Sequence, residues 1–223
     1  MGISIPATTA IRTGAERATL VRRTYALVFV SILFTMAGVA FGLTQPALMQ
    51  AVGNHPFISM ICMFAPLLLA MKARDRFPAN IGLTLLFTTM AGVWISPLMY
   101  VYGQTQPGVI TQAALLTGST FAVLTGYAFL SRRDFSAWGG FFTVGLWVLI
   151  ATSLLNLFFR NQTASLWISS ASVFVFGGLL VFDTWRLRNR FGPDDYVIAA
   201  VSIYLDLLNM FLAILNLLGG RRD

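Results

Sequence analysis

The sequence predicts an all-α membrane protein, a bundle of seven transmembrane helices. Two observations carry the helical membrane class and a third the number of spans. Of 223 residues, 57% are hydrophobic and only 10% charged, and the mean hydropathy is +0.76. A soluble domain carries roughly 25% charged residues, so too little polar surface exists here to coat a water-facing globule. The apolar residues gather into runs near the length of about 20 residues that a helix needs to cross a bilayer. Seven such runs occur, joined by short connections that hold most of the charge.

Residues 1–23 are polar and basic, and read as a cytoplasmic tail with no cleavable leader. The first span is then Thr24–Leu43. The second, Pro56–Met71, is the shortest, and Pro66 within it removes a backbone donor, so a kink is expected there. Ala79–Tyr102 follows, with Pro97 late in it, and then Val109–Ser131, Trp138–Phe159 and Ala164–Trp185. Tyr196–Leu218 closes the transmembrane domain, 24–218, and leaves 219–223 as a short tail. Connections this short make consecutive helices antiparallel neighbours. Glycines within the spans, such as Gly38, Gly42, Gly118, Gly126, Gly145, Gly177 and Gly178, allow helices to approach closely.

The basic residues set the orientation. Arg12, Arg17, Arg22, Arg23, Lys72, Arg74, Arg76, Arg132, Arg133, Arg186, Arg188 and Arg190 fall in one set of connections. Only Arg160, Arg221 and Arg222 fall in the other. Cytoplasmic loops carry the excess of Lys and Arg, which places the N-terminus inside. Six spans with a re-entrant last segment is the competing arrangement. Spread in small groups, these charges read as a topology signal and not as a nucleic-acid surface. A single cysteine, Cys62, excludes an internal disulfide, and no CxxC or HxxxH pattern points to a metal. No cofactor is expected. With His55 alone in an outer loop and no serine motif, neither is enzyme activity.

Most acidic residues have ordinary explanations. Glu16, Asp75, Asp134 and Asp223 sit beside basic residues in tails or loops, and Asp194 and Asp195 stand where the last span begins, as helix caps do. Asp183 and Asp206 remain, one in each of the last two spans, and an ionisable group at such depth is costly. They are nearly equidistant from the turn of one antiparallel hairpin. Asp206 stands about 15 Å beyond Tyr196. Asp183 reaches that depth if its helix continues past Trp185 toward Arg190. The two carboxylates are then expected to face each other, share a proton to relieve their repulsion, and act as a pH sensor. Deprotonated, they present the hard oxygens that calcium prefers. Protonation would close a helix contact, and proton loss would open it. The plainer alternative has each aspartate hydrogen-bonded to a neighbouring helix. Asn209, Tyr204, Asn156 and Tyr127 are candidate hydrogen-bond partners.

The stretches LTGYAFLSRRDFSAWGG, SLLNLFFRN, VFVFGGLLVFDTWRLRN and IYLDLLNMFLAILNLLGGRR resemble the Bax inhibitor-1 family of multi-pass membrane proteins, its bacterial members above all. The likeness is carried by the last hundred or so residues, where FDT and YLDLLN recur in order; the first half matches mainly in its spans. The resemblance implies seven helices with the last at the centre, in a bacterial inner membrane. It implies a pH-dependent calcium leak governed by two aspartates, which fall on Asp183 and Asp206, with calcium as the transported ion. It leaves two other roles open: a regulatory partner of a membrane-anchored protease, and a proton-coupled carrier of a small solute. An arginine that family members carry after the YLD element is replaced by Asn216, and no acid occurs in the second span. A basic latch for Asp183 is therefore sought in Lys72, Arg74 or Arg76.

Overall fold

The computed structural model describes residues 14–73, 76–106 and 108–220. Eight helices and no strand occur among them: α1 (Gly14–Leu43), α2 (Pro46–Asn54), α3 (Pro56–Lys72), α4 (Ala79–Thr105), α5 (Val109–Leu130), α6 (Ser136–Phe159), α7 (Gln162–Asn189) and α8 (Tyr196–Gly219). Their starts follow local chemistry. Glu16 lies in the first turn of α1, where the helix dipole favours negative charge. Proline opens α2 and α3, at the position where its missing donor costs nothing. Gly108 precedes α5 at a φ of 92°, which only glycine adopts without strain. The Asn161 side chain caps α7 by accepting from the Ala164 N–H at 3.0 Å.

Six of these helices are long and apolar enough to cross a membrane. The second predicted span differs in form. Its helix runs on through the buried Pro66, and the sharp bend, 105°, falls at His55 between α3 and the short helix α2, in a stretch where the apolar runs predict only a connection. α2 fully buries none of its residues and lies against α4, its Leu48 and Val52 lining a cleft with Met63, Met90 and Trp94. The basic segment expected to be a tail is also different. From Gly14 onward it forms the first turns of α1, with Leu20 buried.

Helix direction settles how often the chain crosses. A Cβ on Gly38 would strike the Thr89 carbonyl, and one on Gly42 would strike the Ser96 side chain, so α1 and α4 advance together. They are parallel, and α2 with α3 must return the chain across the membrane between them. That makes seven crossings. The Thr35 hydroxyl pairs with the Tyr204 hydroxyl at 2.7 Å and lies 3.1 Å from the Thr88 carbonyl. Fifteen or so residues further on, Gln106 donates to the Gly219 carbonyl at 2.9 Å. Thus α1, α4 and α8 form a parallel trio.

Neighbours in the bundle are not simply neighbours in sequence. The most extensive packing of α1 is against α4, and α5 packs on α7 and α8. Small residues explain the α1–α4 choice, because Gly38, Gly42 and Gly92 let the two backbones touch where bulkier pairs cannot. α8 packs against α1, α4, α5 and α7 and has half of its apolar window buried, against 11% for α6. The last helix is therefore central and α6 peripheral, with Phe141, Trp147, Phe158 and Phe159 turned outward. It is α8, uninterrupted over 24 residues, that excludes a re-entrant last segment.

Gly92→Ala should destabilise the fold by about 1–3 kcal/mol, because its Cβ meets the Thr35 carbonyl on a backbone that cannot give way. Gly140→Ala, with open space around its Cβ, should leave thermal unfolding in detergent unchanged. Equal unfolding midpoints for the two variants would contradict the close α1–α4 crossing.

Candidate functional site

The lower half of α7, near the side of the membrane where α1 begins, presents Leu180, Asp183, Thr184 and Leu187 as a buried stripe at helical spacing. α8 presents Ile203, Asp206 and Met210 in the same way. Because α7 does continue past Trp185, to Asn189, both aspartates lie well inside the helical layer. Asp183 is 8% exposed and Asp206 5%. The two carboxylates are within electrostatic reach of each other, and Arg186 is within reach of both.

Arg186 is the cation of this cluster. Its Nη1 donates to Asp183 Oδ1 at 2.9 Å, three residues along the same helix. Its guanidinium carbon lies 4.5 Å from the Phe191 ring centroid and 5.4 Å from that of Phe182. Aromatic faces attract a cation and shield it from water, so the group is held over the helix end. Among the described residues Asp206 has no such hydrogen-bonded cation, and its Oδ2 is buried without any hydrogen bond. Two carboxylates and one guanidinium carry a net negative charge when all are ionised. One added proton makes the cluster neutral, and in a low dielectric that difference is large.

Around the cluster, hydroxyls tie α7 and α8 to α1. Tyr25 meets Thr184, the residue after Asp183, at 3.4 Å, and Tyr204, two residues before Asp206, holds Thr35. Arg188 closes the end of α5, donating from Nη1 to the Phe129 carbonyl at 2.7 Å and from Nη2 to the Ser131 carbonyl at 3.0 Å. These are carbonyls that a helix C-terminus leaves orphaned. Any movement of α7 at Asp183 is therefore felt by α1 and α5.

Several expected partners stand elsewhere. Asn209 donates to the Leu205 carbonyl of its own helix. Tyr204 is engaged by Thr35, Asn156 accepts from the Asn161 N–H near the opposite face, and Tyr127 is 42% exposed with its ring against Phe135. None of the four hydrogen-bonds an aspartate of the pair. Lys72 and Arg76 are exposed, and Arg74 lies outside the described residues. The basic partner of Asp183 comes from its own helix instead. Asp195 does occupy the cap position of α8, but its carboxylate turns back to the Gly192 N–H at 2.7 Å and closes the loop. Asn216 spans to α7, donating to Ser165 at 2.9 Å and Ser169 at 2.7 Å.

The comparison with known proteins can now be set beside this geometry. The profile of the family described as inhibitor of apoptosis-promoting Bax1 matches residues 17–223. The chain belongs to the Bax inhibitor-1 family. Among its relatives, protein lifeguard 4 of Mus musculus is 32% identical over 91% of this chain and 85% of its own length. Bax inhibitor 1 of Schizosaccharomyces pombe is 31% identical over 91% of this chain and 77% of its own length. An uncharacterized membrane protein of Vibrio cholerae is 34% identical over 76% of this chain and 78% of its own length. The family match runs almost from the start of α1 through α8.

Arg186→Gln should cost about 2 kcal/mol by removing the cation from two buried carboxylates. Adding Asp183→Asn to that variant should recover most of the loss, measured as thermal unfolding of the detergent-solubilised protein. Strictly additive effects would contradict a shared cluster.

Proposed function

We propose that this Bax inhibitor-1 family member is a pH-sensitive calcium leak of a bacterial cytoplasmic membrane, with its N-terminus in the cytoplasm. It acts without enzymatic chemistry and without a cofactor. The observation that carries the reading is Asp206: buried, with Oδ2 unpartnered, beside Asp183, whose charge is already answered by Arg186. A carboxylate so placed holds a proton or attracts a cation, because no hydrogen bond among the described residues satisfies its Oδ2. The resemblance of the FDT and YLD elements to those of bacterial relatives points the same way.

The mechanism follows from charge. Protonated, the cluster is neutral and α7 stays packed on α8. On proton loss the carboxylates repel, the α7–α8 contact loosens, and two sets of hard oxygens face the path. Calcium takes six to eight oxygen ligands, and two carboxylates cannot supply that shell. Such a pair passes the ion on and does not hold it. The excess of basic residues on the side where α1 begins supports the cytoplasmic placement of that side.

Proteoliposomes loaded with a calcium-sensitive dye test the reading. Influx should rise as the pH is raised through the deprotonation of the pair, and Asp206→Asn should remove that pH dependence. Flux indifferent to pH, or a variant with an unaltered profile, would overturn the proposal.

A further inference from the structure

On the side of the membrane where α1 begins, a cleft of about 750 Å³ opens between α1, α4 and the turn from α7 to α8. Its mouth holds Arg23, Asp194 and Tyr196, and its walls include Leu27, Val30 and Leu85. From Arg23 to Val30 the wall of α1 runs about 10 Å toward the membrane centre. One end is charged and the remainder apolar, which is the profile of an amphiphile lying along the helices. The size falls within the range of sites that enclose small ligands.

The mouth is selective in its charges. The Arg23 guanidinium rests over the Tyr196 ring, 5.9 Å from its centroid, and makes no ion pair among the described residues. Asp194 is exposed and has neither an ion pair nor a hydrogen bond among them. A cation and an anion therefore share one cleft with no ion pair between them, and among the described residues neither has one elsewhere. A purely anionic headgroup would satisfy Arg23 and be repelled by Asp194. A zwitterionic one satisfies both.

We infer that this cleft binds a phospholipid whose headgroup joins a phosphate to a primary ammonium, of the phosphatidylethanolamine type. Arg23 takes the phosphate with the fork of donors suited to it. Asp194 accepts from the ammonium N–H groups, which a trimethylated choline headgroup lacks. Leu27, Val30 and Leu85 line the first part of an acyl chain. The site is separate from the aspartate pair and does not depend on any leak.

Native mass spectrometry of the delipidated full chain, titrated with palmitoyl-oleoyl phosphatidylethanolamine, phosphatidylglycerol or phosphatidylcholine, tests it. Phosphatidylethanolamine adducts should exceed the other two by about threefold, the size of one exposed ion pair. Arg23→Ala should lower that adduct, and Asp194→Asn should equalise phosphatidylethanolamine with phosphatidylcholine. Both residues are exposed, so unfolding midpoints should stay at the wild-type value and show that the variants are folded. Equal adducts for the three lipids, a preference for phosphatidylglycerol, or a preference surviving both substitutions would overturn the inference. So would displacement of the lipid by soluble phosphoethanolamine at equal concentration, which would make the ligand a free headgroup.

Discussion

Within a bilayer no solvent is at hand to answer a buried charge, and that constraint organises this protein. Asp183 and Asp206 sit at the meeting of α7 and α8, and the chain provides one guanidinium for two carboxylates. The imbalance leaves the cluster with a net negative charge when all three groups are ionised. It can be relieved by one proton. The aromatic cradle of Phe182 and Phe191 belongs to the same arrangement, since it keeps Arg186 over Asp183 where a free side chain would swing toward water.

The remainder of the bundle gives the pair something rigid to work against. α1, α4 and α8 run parallel, with glycine contacts between the first two and the Thr35–Tyr204 hydrogen bond reaching the third. α7 is the antiparallel member set against this trio, tied to α1 through Tyr25 and to α5 through Arg188. A displacement of α7 would disturb specific contacts with two other helices.

Much of this was legible in the sequence, and the failures have physical causes. Hydropathy located every long helix to within a few residues, except where a span is not simply apolar. The first ten described residues of α1 are basic yet helical, because arginines extend a helix into the interface by keeping their charged ends in water. α2 was missed because nine residues bent from the next helix make no long apolar run, although Pro46 marked its start. Sequential helices do pack together at α3–α4, α6–α7 and α7–α8, but small residues draw α1 to α4, out of sequence order. At the site, the depth of the two aspartates could be read from their distance to the turn. The partner of Asp183 was sought at a distant helix end, when the spacing of Asp183 and Arg186 already placed a cation one turn away.

Central to the proposal is a single proton on the cluster of Asp183, Asp206 and Arg186. Infrared difference spectroscopy of the protein in lipid, across a pH step, reads protonated carboxyl groups directly. One protonated carboxyl per chain should disappear as pH rises, and the signal should be lost or shifted in both Asp183→Asn and Asp206→Asn. A signal that is absent in the wild type, or that survives both substitutions, would contradict it.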